Sequence, residues 1–413
     1  MYRFGLVLAV LMAFSLSGLA EETIRFGAIY PLTGPIADTG QRCKWAVETA
    51  LEIINNPHPE IDLPLAASAG LPNLGGAKMV AVFADHKANP ELGKAEAERL
   101  ITEENVVALV GCYNSAVTKP ASYVAERYGI PFVCGASSSA ALTERGLKYF
   151  FRIAVTDAMD AKHFFECLNE LKEVKGYEIE TFAVVYENTE FGQHAAEQTR
   201  YWGEHFGYKC VADVPYPFGA TDVTSEVLRL KAANPDVVFH ATLLSDYILF
   251  VRTYKELNYV PKAVFSFCGG FQDPKSIERL GADANYFCGS QIMPPELIPK
   301  IPVLNKVNEL YKERAGADID GVTLEIFEAV IVLADAINRA GTTDPEAVVE
   351  ALRATNIVTD LNIGGGIRFD EKGQNILAKA AVTQVIDGEY RTVLPLSVAT
   401  TEMIWPIPPW NER

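Results

Sequence analysis

The 413-residue sequence is poor in basic residues and in histidine. Lys and Arg number 36 against 53 Asp and Glu, which gives a formal net charge of -17. So negative a surface argues against binding nucleic acid or an anionic membrane surface, because both attract basic proteins. The six histidines stand singly, without the spacing of metal ligands. We therefore expect no metal site, no cofactor and no nucleic-acid partner.

Sequence motifs typical of enzymes are also missing. The chain has no G-x-S-x-G, no Walker loop, no H-E-x-x-H, and no G-x-G-x-x-G after its first predicted strand. No nucleophile–base pattern stands out in their place. The prediction is a protein that is not an enzyme.

Long apolar runs are limited to the first twenty residues. Arg3 is followed by an apolar stretch from Phe4 to Phe14, and the small residues Gly18 and Ala20 precede Glu21. This pattern predicts a secretory signal peptide over residues 1–20, cleaved after Ala20. No Cys stands at the cleavage point itself, so a lipid anchor is not indicated. No second run of about 18 apolar residues is present, and a periplasmic protein without a membrane span is expected.

Seven cysteines occur in this exported chain, an odd number that leaves at least one thiol unpaired within the molecule. No C-x-x-C is present, which argues against a zinc ribbon or a thioredoxin-type site. Two pairings suit the spacing, Cys167 with Cys210 and Cys268 with Cys288. The alternative is that most of the cysteines are small buried apolar residues.

Short apolar strands alternate with helical patterns along nearly the whole chain. One series begins with a strand at Thr23–Tyr30 and a helix at Cys43–Ile54, and a second begins with a helix at Ala158–Lys172. This alternation predicts parallel sheets covered by helices on both faces. About 390 residues remain after the signal peptide, which favours two domains.

Polar residues follow two of the predicted strands, where ligands of open parallel sheets bind. The segment 112–118 contains Tyr113, Asn114 and Ser115, and the segment 135–139 contains Ala136 and Ser138. Hydroxyls and main-chain N–H groups at helix N-termini bind carboxylates. The alternative is that these serines only cap helices.

Four further candidates, Asp157, Phe191, Leu243 and Phe271, follow other strands. Asp157 is either a helix cap or the counter-charge for a ligand ammonium group. Phe191 and Leu243 are candidates for an apolar wall, as are Tyr113 and Phe271, although core packing is the usual role of aromatic residues.

Taken in order, several segments resemble branched-chain amino acid-binding proteins, the type I periplasmic receptors of ABC importers. They are YPLTGPIA (30–37), VGCYNSAVTKPA (110–121), IPFVCGASSSAALT (130–143), FRIAVTD (151–157) and EFGQ (190–193). The resemblance implies an α/β fold of two doubly wound parallel-sheet lobes joined by three crossovers. It implies a first lobe at 21–156 plus 295–362, a second lobe at 157–294 plus 363–392, and an extended tail at 393–413.

The same resemblance implies a site between the lobes. The carboxylate-binding serine of the family matches Ser115, its backbone donor and neighbouring hydroxyl match Ala136 and Ser138, and its amine-binding acid matches Asp157. The implied function is capture of a small carboxylate, a hydrophobic amino acid first of all, for delivery to a membrane permease. A monomer is expected.

The sequence departs from the family pattern at several positions. Tyrosines of the family fall on Thr39, Phe191 and Leu243, and a glutamate that helps to bind the ammonium group falls near Gly269. A first-lobe disulfide falls on Ala88 and Asn114 and is therefore absent. Loss of the glutamate weakens an amine site, so a receptor for an aromatic or aliphatic acid or a small amide is the alternative. A sensor that presents the ligand to a signalling partner is another.

Overall fold

The computed structural model describes residues 23–413, so the predicted signal peptide lies outside the described residues. The strands in this range are β1 (Thr23–Tyr30), β2 (Lys78–Asp85), β3 (Leu109–Gly111), β4 (Phe132–Cys134), β5 (Phe150–Arg152), β6 (Thr181–Glu187), β7 (Lys209–Tyr216), β8 (Val237–Ala241), β9 (Val264–Ser266), β10 (Cys288–Gln291), β11 (Asn356–Val358), β12 (Gly366–Arg368), β13 (Ala381–Ile386) and β14 (Glu389–Leu394).

The α-helices between them vary from about two turns to more than five turns. They are α1 (Ala37–Asn55), α2 (Pro90–Thr102), α3 (Ser115–Tyr128), α4 (Asp157–Lys175), α5 (Glu190–His205), α6 (Thr224–Ala233), α7 (Leu244–Glu256), α8 (Pro274–Leu280), α9 (Pro302–Ala315), α10 (Gly321–Ala340) and α11 (Pro345–Arg353).

Five strands form a parallel sheet in the order β2-β1-β3-β4-β5. One face packs against side chains of α1, α9, α10 and α11, and the other against α2 and α3. Helices on both faces explain why strands such as β1 are nearly continuous apolar runs. We call this sheet with its helices the first lobe.

Seven strands form a second sheet in the order β14-β13-β10-β9-β8-β6-β7. The five strands from β10 to β7 are parallel, whereas β13 and β14 form an antiparallel hairpin at one edge. Its turn residues Asp387 and Gly388 have φ values of 52° and 77°, as the predicted Asp-Gly hairpin requires. Helices α4 and α5 cover one face, and α6 and α7 cover the other. We call this sheet with its helices the second lobe.

The chain passes between the two lobes three times, after β5, after β10 and before β13. The α/β class with two parallel-dominated sheets, predicted from the sequence, is confirmed. Ile367 and Phe369 pack in the core of the first lobe, beside the two-stranded sheet of β11 and β12. The exact lobe boundaries stay a prediction.

Helix α10 is the most buried helix of the first lobe, with sixteen of its 20 residues buried. Asp320 caps its first turn by accepting hydrogen bonds from the N–H groups of Val322 and Thr323, and Gly341 ends it in the left-handed conformation. Although α10 is largely apolar, neither it nor any other helix within residues 23–413 is long and apolar enough to cross a membrane.

The C-terminal tail is extended and packs on the second lobe. Met403 and Ile407 are buried, the ring of Trp405 stacks on Tyr177, and Nε1 of Trp410 donates to the Tyr259 carbonyl at 2.9 Å. Apolar side chains therefore fix a segment that the prolines keep out of regular structure.

Candidate functional site

A cavity lies between the two lobes, with about 380 Å³ of space not occupied by protein atoms. We call it the cleft cavity. The first lobe lines it with Tyr113, Asn114, Ser115, Ala136, Ser138 and Val322, and the second lobe with Glu187, Thr189, Phe191, Leu243, Cys268 and Gly269. No lysine or arginine lines it.

The first-lobe wall is built from the ends of two neighbouring strands. Because β3 and β4 are parallel partners, the segments that follow them leave the sheet side by side. The first segment leads into α3, whose first residue is Ser115. The second passes so close to α10 that a Cβ at Gly135 would lie 2.8 Å from Cα of Ile326. These segments hold the five candidate residues from 113–115 and 136–138 at one edge of the cavity.

Free main-chain donors are concentrated on this wall. Within the described residues, the N–H groups of Ser115, Ala136 and Ser138 have no acceptor, while the Ser115 hydroxyl accepts from Ser139 N–H at 3.3 Å. Unpaired N–H groups in the first turn of a helix carry partial positive charge. Such a wall can bind an anion without any basic side chain.

Buried hydrogen bonds hold these loops in place. The hydroxyls of Thr118 and Ser137 are 2.6 Å apart, and the Ser137 hydroxyl donates to the Tyr113 carbonyl at 3.0 Å. The guanidinium of Arg152, fully buried beneath the loop, donates to the carbonyls of Ser137 and Ser139 at 3.2 and 2.5 Å. The donors of the first-lobe wall are therefore preorganised.

The second-lobe wall is mainly apolar, with Phe191 and Leu243 facing the first-lobe donors. Gly269 has a φ of 101°, and a Cβ there would lie 3.1 Å from the Thr242 carbonyl oxygen. The carboxyl group on this wall belongs to Glu187, the last residue of β6, and it is hydrogen-bonded to the start of α5. It accepts from the Thr189 N–H and hydroxyl, both at 2.6 Å, and from Gly192 N–H at 3.1 Å. Burial raises the pKa of Glu187, although these hydrogen bonds oppose the shift.

Asp157 does not line the cleft cavity. Its Oδ2 lies 3.2 Å from Nδ1 of His194, and its Oδ1 is buried without a hydrogen-bond partner. Its main-chain N–H donates to the Ser138 carbonyl at 2.9 Å, so it lies directly behind the first-lobe wall. The cap of α4 is Thr156, whose hydroxyl accepts from Met159 N–H at 3.1 Å.

A buried ion-pair cluster joins the lobes beside the cleft. Arg42 of α1 donates to Asp320 of its own lobe and to Asp273 of the second lobe, and Asp273 also accepts from the Thr39 hydroxyl at 3.2 Å. Burial opposes the charge of Arg42, but the two carboxylates outweigh it and raise its pKa. Burial raises the pKa of Asp273, and Arg42 opposes that shift. We call these three ionic residues, with Thr39, the interlobe cluster.

More exposed ion pairs lie around the same cleft. Asp38 pairs with Arg279 at 2.5 Å and with Lys275 at 3.1 Å, and Lys119 pairs with Glu190 at 2.8 Å. Each of these pairs joins a first-lobe residue to a second-lobe residue. Together with the interlobe cluster, they hold the lobes in the closed arrangement.

A profile of the periplasmic binding protein family matches residues 23–389. The chain belongs to the periplasmic binding protein family. Its membership places the chain among extracytoplasmic substrate-binding proteins of transport systems, as the sequence predicted.

Individual members of the periplasmic binding protein family resemble this chain along nearly its whole length. The Leu/Ile/Val-binding protein homolog 7 of Brucella melitensis is 29% identical over 412 residues, which cover 97% of this chain and 99% of the relative. A leucine-binding protein, LivK, from Thermotoga maritima superimposes with a TM-score of 0.76 at 22% identity, covering 91% and 100% of the two chains.

A third relative has a different ligand. A solute-binding protein from Rhodopseudomonas palustris, solved with 3,4-dihydroxybenzoic acid, has a TM-score of 0.76 at 17% identity and covers 95% and 99% of the two chains. At these identities the solved structures confirm the fold alone.

Eight of the nine predicted site residues of this periplasmic binding protein line one cavity, and Asp157 is the exception. Phe271 packs in the second-lobe core against Tyr247 and Tyr390, and Thr39 belongs to the interlobe cluster. The sequence reasoning missed Glu187, Thr189, Cys268 and Val322. The rule that ligands lie beyond strand ends would have found the first two, because Glu187 ends β6 and Thr189 follows it.

All seven cysteines are free thiols in the structure, so neither suggested pairing is formed. Five are buried, and Cys210 and Cys268 are partly exposed. The Cys268 side chain contacts the Ser138 side chain of the other lobe across the cleft cavity. No cluster of potential metal ligands was found among residues 23–413.

Proposed function

We propose that this protein captures a small carboxylate between its lobes and delivers it to the membrane permease of an ABC importer. The unpaired N–H groups of Ser115, Ala136 and Ser138, gathered on one wall of the cleft cavity, carry this proposal. Hydrogen bonds to a charged group contribute about 1.5–3 kcal/mol each. The ligand's carboxylate therefore belongs on the first-lobe wall and its apolar part against Phe191 and Leu243.

A hydrophobic amino acid of the branched-chain class is our first choice of ligand. The apolar second-lobe wall suits an aliphatic side chain, and the named relatives include leucine-type receptors. One acceptor that lines the cavity, Asn114 Oδ1, has no hydrogen-bond partner. We assign it to the ligand's ammonium group.

An acid without an amine is the second candidate, and the position of Asp157 favours it. His194 occupies one oxygen of Asp157, and Asp157 does not line the cavity. The lining carboxylate of Glu187 is hydrogen-bonded to Thr189 and Gly192 at the start of α5. The R. palustris relative solved with a dihydroxybenzoic acid shares this fold.

The proposed mechanism is binding and closure without chemistry, in a monomer that does not bind nucleic acid. A ligand held by the first lobe favours the closed state only through the contacts that the second lobe adds. A sensor would use the same lobes with a signalling partner in place of the permease.

A matched ligand set tests the proposal. L-Leucine, 4-methylpentanoate (the same skeleton without the amine) and L-leucinol (without the carboxylate) are compared by thermal shift and calorimetry, with L-isoleucine and 4-hydroxybenzoate alongside. We expect leucine to bind and leucinol to fail. Binding of 4-methylpentanoate or 4-hydroxybenzoate in place of leucine favours the second candidate. Equal binding of leucinol contradicts the carboxylate assignment.

A further inference from the structure

A buried carboxylate lies directly behind the wall that we assign to the ligand's carboxylate. The side chain of Asp157 is fully buried, and its main-chain N–H donates to the carbonyl of Ser138, a residue of that wall, at 2.9 Å. Burial raises the pKa of two groups that line the cleft cavity, the Glu187 carboxyl and the Cys268 thiol, and the charge of Asp157 adds to both shifts. The charge of Asp157 therefore acts inside the cavity, although Asp157 does not line it.

This charge opposes the binding of an anion unless a partner compensates it. Among the nearby titratable groups, Asp160 and Glu187 are themselves acidic. Burial lowers the pKa of Arg152 to about 10 and the charge of Asp157 opposes that shift, so this guanidinium is near. Its hydrogen bonds, however, go to two carbonyls and two polar side chains, and none of those found within residues 23–413 goes to Asp157. Since like charges repel strongly where water is excluded, Asp157 needs a closer partner.

His194 of α5 is that partner. Its Nδ1 lies 3.2 Å from Oδ2 of Asp157, and because a carboxylate only accepts hydrogen bonds, Nδ1 donates. The other carboxylate oxygen, Oδ1, has no hydrogen-bond partner in the described part of the chain. His194 stands one helical turn after Phe191, so the helix that lines the cavity with Phe191 also holds Asp157.

We propose that His194 determines the specificity of the cleft: by holding and compensating Asp157, it keeps the first-lobe wall selective for an anionic group. Without this histidine, the charge of Asp157 would repel a ligand carboxylate and favour a ligand that also carries an ammonium group. His194 does not line the cavity and acts through Asp157, so it is a positioning residue. The inference rests on the function proposed for the cleft and adds the residue that sets the preference between an acid and an amino acid.

The test compares 4-methylpentanoate with L-leucine by calorimetry in the unaltered protein and in His194→Leu. We expect His194→Leu to bind 4-methylpentanoate at least tenfold more weakly, because the charge of Asp157 is no longer compensated. Leucine binding should change by less than about threefold, since its ammonium group offsets that charge. The double variant His194→Leu/Asp157→Asn removes the charge as well, and it should bind 4-methylpentanoate within about threefold of the unaltered protein.

Further variants separate this effect from a loss of structure. His194→Asn keeps an N–H donor at the position of Nδ1 and should restore the binding of both ligands. His205→Leu is the matched control, because it changes an exposed histidine of the same helix, and both ligands should bind to it as before. If circular dichroism shows that His194→Leu does not fold, Asp157→Asn alone decides: it should bind both ligands at least as tightly as the unaltered protein.

Several results would overturn this inference alone. They are an unchanged affinity of His194→Leu for 4-methylpentanoate, a loss that persists in the double variant, and a tenfold loss of leucine binding in Asp157→Asn. Binding of leucine by the unaltered protein without any binding of 4-methylpentanoate would do the same. If the unaltered protein binds neither ligand, the function proposed for the cleft is contradicted, and this inference with it.

Discussion

The two walls of the cleft cavity differ in what they offer a ligand. The first-lobe wall presents the free N–H groups of Ser115, Ala136 and Ser138, held by a buried network over Arg152. The second-lobe wall presents Phe191 and Leu243, and the carboxylate of its Glu187 is already hydrogen-bonded to Thr189 and Gly192 at the start of α5. The rigid polar wall suits the carboxylate that all the proposed ligands share. The apolar wall, which contacts the ligand only when the lobes close, suits the side chain in which those ligands differ.

The largest expected effect comes from removing a hydroxyl from the polar wall. We expect Ser115→Ala to weaken binding of the best carboxylate from the matched set by about 10- to 100-fold, because a hydrogen bond to a charged group is lost. Isothermal titration calorimetry measures the change. Ser122→Ala is the control: it alters a buried serine of the same helix that does not line the cavity, and a change of less than about twofold is expected.

Truncation of an aromatic side chain on the second-lobe wall is expected to have the next largest effect. Phe191→Ala removes the ring that shields the ligand, and we expect about tenfold faster dissociation because apolar area is no longer buried. Stopped-flow fluorescence measures the rate, and Phe191→Tyr, which keeps the ring, is expected to stay within about threefold of the unaltered protein. An unchanged rate for Phe191→Ala would mean that the second lobe does not close on the ligand there.

The interlobe cluster offers a pair of matched variants. Asp273→Asn weakens the contact of Arg42 across the cleft, whereas Asp320→Asn weakens its contact within the first lobe. We expect Asp273→Asn to lower affinity by about threefold to tenfold and to increase the radius of gyration of the ligand-free protein in small-angle scattering, because breaking a buried pair disfavours closure. Asp320→Asn is expected to lower thermal stability with less effect on closure. Equal effects of both on scattering would contradict this distinction.

The smallest effect is expected at the exposed rim. Lys119 and Glu190 pair at 2.8 Å across the cleft, but the lysine side chain is 42% exposed. Solvent screens such pairs, so Lys119→Gln should change ligand affinity by less than about threefold at physiological salt. Calorimetry at low and high salt checks this, and a tenfold loss would show that the rim contributes more to closure than the buried cluster.

Much of the first-lobe wall could be predicted from the sequence because it depends on residues that directly follow a strand in the chain. A short apolar strand followed by Asn114 and Ser115, or by Gly135 and Ala136, places donors at a sheet edge whatever the rest of the chain does. Strands such as β1 were predictable for the same reason, since their apolar runs are continuous.

The interlobe contacts could not be predicted in this way. Arg42 and Asp273 are separated by 231 positions, and nothing local in either segment indicates the other. Asp157 follows its strand as predicted, but its side chain is turned to His194, a residue 37 positions away. The seven free thiols show the same limit, because spacing allows pairings that the fold does not bring together.

The most direct test of the central claim is a crystal structure with the tightest-binding carboxylate of the matched set. The proposal predicts a carboxylate between the lobes, with its oxygens about 3 Å from the main-chain nitrogens of Ser115, Ala136 and Ser138 and from the Ser115 hydroxyl. A ligand bound outside the cleft cavity, or one whose carboxylate faces Phe191 and Leu243, would contradict it.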